Sequence, residues 1–273
     1  MQLLVNYVVP VVLVLIGAEA GQRYDNRLLG SFLGLLLAVI YILIVMRGDI
    51  FMIRGTKKIK SGETKKGIEL YEKGIKNRTK TEYVLYACYA FLRYGYPDKC
   101  IHYLKEAEKN KKLTPAQKAE IASTKGLYLW KTSDLSGAEE EFRKAHELNQ
   151  NSSTYSQLGF ILLDEKKFDE ALALNTEAAE YNDSDPSIMD NLAMSYFYGG
   201  ENDKAEKIYE CIMEKGTRFP VIHYNYALVL EKAGKLDEAA EQLDDALRYN
   251  FSYLASVSKD EVEKKLDYIN SIK

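Results

Sequence analysis

Through the last two-thirds of this chain a small residue returns about every 34 positions. It stands at Gly126, Gly159, Ala193 and Ala227. An alanine follows each at a fixed distance, at Ala138, Ala171, Ala205 and Ala239, and Ala145, Ala178, Ile212 and Ala246 come next in the same register. Side chains this small, held in register, mark places where two helices cross closely. A period in this range belongs to stacked helix–turn–helix units, each touching only its neighbours, and not to a single closed core. A chain built this way offers surfaces, so its function is expected on a face of the stack and not in a catalytic pocket.

The register extends backwards. Cys88, with Phe91, Cys100, Leu104 and Ala107 at equivalent places, makes an earlier unit. Gly55, with Gly67, Tyr71 and Gly74, makes a degenerate first one, in which Arg54 and Lys58 stand where other units are apolar. In the unit on Ala193, Met189, Leu192, Ala193 and Tyr196 form the buried stripe of its first helix, and Ala205, Tyr209 and Ile212 answer from the second. Turns are expected at Ser133 to Gly137, Asp164 to Lys167, Gly199 to Asp203 and Gly234 to Leu236. Thr114-Pro115-x-Gln117 and Ser258-x-x-Glu261 read as capping boxes that open helices. The last of these helices, 251–273 with its lead-in, is polar on one face, as the terminal cap of a solenoid must be.

These residues resemble the tetratricopeptide repeat family over roughly residues 50–250. The resemblance implies an all-α fold: a right-handed superhelix of helix pairs, with units centred on Cys88, Gly126, Gly159, Ala193 and Ala227 within 81–250. It also implies a scaffold for protein–protein contacts, without specifying the partner.

Ahead of the repeats, Leu3 to Ala18 and Leu28 to Met46 carry no charge. At 1.5 Å per residue the second stretch spans about 28 Å and the first about 24 Å, near the thickness of a bilayer's hydrocarbon. Residues 1–48 are therefore expected to form a transmembrane hairpin, with helices at about 3–18 and 28–46 and a polar loop from Glu19 to Arg27. Arg47, Arg54, Lys57, Lys58, Lys60, Lys65 and Lys66 follow the second stretch, against Arg23 and Arg27 in the loop. That asymmetry puts the repeats and the N-terminus in the cytoplasm, and a bacterial cell membrane suits a short hairpin without an organelle signal. A rival reading takes residues 1–20 as a cleaved signal peptide, since Ala18-Glu19-Ala20 fits a cleavage site, though no positive segment precedes it. Gly30 and Gly34, with Ser31 and Ala38, form a stripe that serves either packing inside the hairpin or oligomerisation. The basic segment 49–80, through Lys57, Lys58 and Lys60, would also attract anionic lipid.

The net charge of −3 conceals this basic stretch. The first 46 residues are neutral and 47–66 carry seven Lys or Arg against Asp49 and Glu63, so the remainder carries −8. A repeat array so acidic argues against nucleic acid. Cys88 and Cys100 fill small-residue positions of a repeat, Cys211 lies on a second helix, and His102, His146 and His223 fall in separate units. No metal, cofactor, catalytic constellation or phosphate loop is expected.

By alignment to the family, side chains next to each small residue line the concave groove. The candidate partner-binding residues are Tyr89, Leu127, Trp130, Phe160, Met194, Phe197 and Tyr224, with Asn191 and Asn225 at positions where family members hydrogen-bond a ligand backbone. The Lys and Asn clamp that grips a peptide carboxylate in some members is absent here. An apolar groove with a few amides suits a protein or peptide segment bearing apolar side chains. The expected protein is a membrane-anchored adaptor; the alternative is a structural subunit of a larger membrane complex, its hairpin packed against other membrane helices.

Overall fold

The computed structural model describes residues 8–273, and among them every regular element is an α-helix. They divide into two compact units, one ending at Ala87 and one running from Cys88 to Lys273.

The first unit opens with α1 (Val9–Arg23) and α2 (Arg27–Val45), which pack on each other. The expected start of the first span, at Leu3, lies outside the described residues. The expected stop at Ala18 is replaced by a helix that continues to Arg23, with Arg23 reaching back 3.6 Å to Glu19 one turn earlier. The loop is accordingly only Tyr24 to Asn26. Asp25 takes the left-handed conformation (φ 54°), and the Asn26 side chain accepts from Leu29 N at 3.2 Å to cap α2. Glycines line the crossing. A Cβ added to Gly17 would lie 2.5 Å from Gly30 O, one on Gly21 2.8 Å from Gly30 Cα, and one on Gly34 2.8 Å from Leu13 O. Gly30, Gly34 and Ala38 are buried there, so the stripe considered for oligomerisation is consumed inside the hairpin. The bulky residues point outward: Leu28, Phe32, Leu36, Leu43 and Ile44 are all exposed. Among the described residues α2 is the one helix long and apolar enough to cross a bilayer, while α1 has 15 described residues.

Met46 ends α2 and begins α3 (Arg47–Lys60), which pairs with α4 (Thr64–Lys76). This pair is a repeat in geometry. A Cβ on Gly55 would meet the Tyr71 ring at 2.6 Å, Gly67 faces Ile59, and Gly74 faces Met52. Tyr71 OH and Thr56 Oγ1 share a hydrogen bond at 2.9 Å. Asp49, buried on α3, accepts from Thr79 Oγ1 at 2.6 Å and Lys80 N at 3.2 Å, so it caps the start of α5 (Thr81–Arg93), the helix within which the first unit ends. The irregular basic residues need no burial: Arg54 is exposed, and Lys58 donates to Glu63 Oε1 at 2.6 Å. Glu63 lies between Lys58 and Lys66, whose hydrogen bonds hold its carboxyl down at about 2. Lys58 is thus less free for a lipid headgroup than expected, whereas Lys57 and Lys60 are exposed.

The second unit continues α5 and adds α6 (Pro97–Glu108), α7 (Pro115–Lys131), α8 (Leu135–Leu148), α9 (Ser152–Asp164) and α10 (Phe168–Tyr181). It goes on through α11 (Pro186–Tyr198), α12 (Asn202–Lys215), α13 (Pro220–Lys232), α14 (Leu236–Leu247) and α15 (Lys259–Ile272). Odd-numbered helices are the first, or A, members of each pair, and even-numbered ones the B members. The small A-helix residue makes room for a larger B-helix one. A Cβ on Gly126 would lie 2.6 Å from the Phe142 ring, and one on Gly159 would overlap Asn175 Oδ1. Ala193 and Ala227, with Tyr209 and Leu243 at the matching B positions, are buried to within 1%. Both expected capping boxes are present, at Thr114 with Gln117 and at Ser258 with Glu261.

A signal absent from the sequence reading repeats with the same register. Each A helix ends in a left-handed residue at a constant distance from its small position: Gly62, Gly95, Ser133, Lys166, Gly200 and Gly234, with φ from 61° to 83°. Only glycine takes this conformation without strain, so four of the six positions hold it. Gly62 gives the Gly55 pair the same turn as the others.

Candidate partner-binding face

The candidate residues lie on the A helices α5, α7, α9, α11 and α13. Tyr89, Leu127, Trp130, Phe160, Phe197, Tyr224 and Asn225 are half-buried, and Asn191 and Met194 are fully buried. An open apolar strip along the A helices was expected, and the described structure leaves none of the nine fully exposed.

Trp130 and Phe160 come together from consecutive A helices, edge to face with centroids 4.9 Å apart. Trp130 Nε1 donates to Asp164 Oδ2 at 3.0 Å, and Lys131 Nζ lies 4.5 Å from the indole centroid. The indole therefore has one face apolar, one edge satisfied and a cation beside it. Leu127, Trp130, Phe197 and Tyr224 all pack on one apolar cluster that runs from Ala138 to Ile269.

The asparagines do something other than expected. Asn191 Nδ2 donates to Ser156 O at 2.7 Å, and Asn225 Nδ2 donates to both Asp190 carboxylate oxygens at 3.1 and 3.2 Å. Both bonds run from one A helix to the preceding one, 35 residues back. These amides fasten repeat to repeat, because a buried donor beside a neighbouring acceptor is satisfied there before any ligand arrives. Asp190 also accepts from Tyr209 OH at 2.7 Å. Burial raises its carboxyl to about 6, against the opposing pull of those hydrogen bonds. Asn175 extends the polar seam, donating to Ser195 Oγ at 2.9 Å.

On the B-helix side, charges link successive pairs. Arg143 bridges Glu139 and Glu170 at 2.6 Å each, Lys167 joins Glu139, and Lys235 joins Glu206. Most of these join a solvent-exposed cation to a largely covered carboxylate, Glu139 or Glu206. Cys88 and Cys100 are buried, and burial pushes the Cys100 thiol up to about 12, while Cys211 is exposed. Each histidine rests against an aromatic ring: His102 on Tyr103, His146 on Tyr155, His223 on Tyr249. Among the described residues no three His, Cys, Asp or Glu side chains are placed to hold a metal ion.

Lys131, Asp164 and the aromatic residues Phe251 and Tyr253 belong to this face and were not among the expected residues. Lys131 and Asp164 carry no periodic signal, since the repeat does not dictate them. The aromatics of 251–253 lie in a connection between helices, where apolar residues without helical spacing were their only mark.

The arrangement defines an α-solenoid of helix pairs with a lined A-helix face. The tetratricopeptide-repeat model matches residues 55–250, starting on the small residue of the first pair, and the chain belongs to that family. It is similar, at 30% identity over 84 residues, to the "Photosystem I assembly protein Ycf3" of a Synechococcus strain, a match over 31% of this chain and 46% of that protein. A "TPR repeat-containing protein YsoA" of Bacillus subtilis is 30% identical over 112 residues, 40% of this chain and 33% of that one. The chain thus spans less than half the length of either relative. Among solved structures, a tetratricopeptide repeat protein from Parabacteroides merdae superposes with a TM-score of 0.65 at 12% identity, covering 95% of this chain and 99% of that one. That likeness concerns the fold. Solenoids of this kind offer extended surfaces and no closed pocket.

Proposed function

We propose that this protein is a membrane-anchored adaptor: the α1–α2 hairpin lies in the bilayer, the repeats lie on the cytoplasmic side, and the A-helix face holds an apolar segment of a partner protein. The observation that carries the reading is the inside-out packing of the hairpin. Its glycines meet at the crossing while Leu28, Phe32, Leu35, Leu43 and Ile44 face outward from a 19-residue helix. An apolar surface of that extent is unfavourable in water and matched to hydrocarbon. The basic residues after α2 set the orientation. On the A-helix face, Trp130 and Phe160 are the aromatic anchors a partner would use. The likeness to a photosystem assembly protein is in keeping with a role in bringing together components of a membrane complex.

The native thiols allow a direct test. Cys211 is exposed and Cys88 and Cys100 are buried, so an impermeant maleimide reports on Cys211. Labelling of Cys211 is expected only after the membrane is opened, whereas an Asp25→Cys, Cys211→Ser variant is expected to label from outside. Recovery of the full chain in the supernatant after a carbonate wash, or labelling of Cys211 in intact cells, would sink the anchored topology.

A further inference from the structure

Three to six residues join successive helices throughout the second unit, but eleven separate α14 from α15. Stacking α15 on α14 does not require that length. The extra chain instead reaches A helices far earlier in the sequence. Tyr253 N donates to Arg93 O, the last carbonyl of α5, at 3.2 Å. Ala255 O accepts from Lys131 Nζ, at the end of α7, at 3.1 Å, and the Tyr253 ring lies 5.2 Å from the same ammonium. Phe251, like Leu127, Trp130 and Tyr224, packs against the apolar cluster that runs from Ala138 to Ile269, and Val257 is buried.

A non-helical segment held by its backbone N–H, by a lysine on its carbonyl and aromatic ring, and by Phe251 against apolar side chains is bound as a peptide ligand is bound. We propose that residues 250–257 are an intramolecular occupant of the A-helix face, which a partner segment must displace. The proposal rests on reading that face as the partner surface. It also specifies the competitor: an uncharged, turn-forming segment with aromatic residues two apart, as Phe251 and Tyr253 are, closed by Ala255 N on Ser252 O at 3.0 Å. Being tethered, the strap acts at a high effective concentration, so an outside segment binds only in the fraction of time the strap is away.

The test uses the full chain in detergent micelles and a dye-labelled synthetic peptide of residues 249–258. Phe251→Ser with Tyr253→Ser is expected to loosen the strap and to tighten peptide binding by about tenfold or more relative to the unaltered protein. Trp130 is the chain's one tryptophan and should shift its emission to the red when the strap leaves. Tyr253→Ser alone keeps Phe251 in place, in case the double variant loses helix content, and is expected to act in the same direction with a smaller effect. Equal peptide binding by unaltered and loosened proteins would overturn the strap as an occupant while leaving the face a binding surface. Failure of the peptide to bind either form would overturn the proposal together with the partner-face reading.

Discussion

The hairpin and the repeats bring helices together by the same means and to opposite ends. In both, small residues remove bulk where two helices cross. In the hairpin, glycine meets glycine backbone: Gly17 and Gly21 lie against Gly30, and Gly34 against Leu13 O and Gly17 Cα. Nothing large fills the gap, and the large apolar side chains are turned out. In the repeats, each small residue faces a large or polar partner, Phe142 over Gly126 and Asn175 over Gly159. There the apolar bulk turns in, the outside is charged, and polar groups such as Asp190, Tyr209 and the amide nitrogen of Asn175 are buried and bonded. On the proposed topology, the surroundings of the two regions account for the difference. A helix pair in contact with water must bury its apolar side chains between its members. A pair surrounded by hydrocarbon gains nothing that way and is held by close backbone packing.

The comparison breaks most readily at the hairpin. In Gly30→Leu, a Cβ meets the backbone of Gly17 and Gly21, which cannot move aside as a side chain would. We expect the helices to separate at a cost of about 3 kcal/mol or more, seen as faster hydrogen exchange across residues 9–45 in nanodiscs, with the repeats unchanged. Parent-like exchange in the hairpin would show that the crossing is not the contact that holds it.

The repeats should be most sensitive where they bury charge. Asp190 titrates at about 6 in the folded protein against an ordinary value of 3.8. Its folded pKa is raised, so its contribution is fully present below pH 3.8 and is lost as pH rises through 6. We expect Asp190→Asn, which keeps an acceptor for Tyr209 and Asn225, to stabilise the array at pH 7 by about 2 kcal/mol and to give no gain at pH 4. Urea unfolding at the two pH values tests this, and an equal effect at both would remove the ionisation account. Tyr209→Phe withdraws one donor from the same carboxylate and should cost about 1–2 kcal/mol at pH 7.

The smallest expected effect sharpens the comparison at the turns. Lys166 is exposed and holds a left-handed conformation that four sister turns give to glycine. Lys166→Gly should therefore stabilise the array by about 0.5–1 kcal/mol in urea melts. A loss of stability of that size would mean the lysine side chain, which packs no core, is needed for its contacts.

Much of this molecule is legible in one dimension because its contacts are local in sequence. The spacing of Gly126, Gly159, Ala193 and Ala227 carries the helix pairs, since a crossing recurs wherever a repeat recurs and tolerates only small side chains there. The capping boxes at Thr114 and Ser258 are legible for the same reason: four consecutive residues contain the whole interaction. Long uncharged runs mark the apolar helices, but a charge such as Glu19 looks like an end in the sequence although α1 makes another turn before Asp25 reverses the chain.

What the tertiary structure alone decided is which groups remain free once the repeats stack. Asn191 and Asn225 look like ligand donors from their positions and are spent on the neighbouring A helix, because the acceptor they meet lies 35 residues away and is seen only after packing. The Gly30 and Gly34 stripe is blank until α1 is laid against it. The meeting of Tyr253 with Arg93 and of Lys131 with Ala255 spans more than a hundred residues, beyond any period the sequence repeats. Local pattern determines the elements and their pairing; the occupancy of a surface depends on contacts between elements that no repeat register encodes, and only the folded chain brings those together.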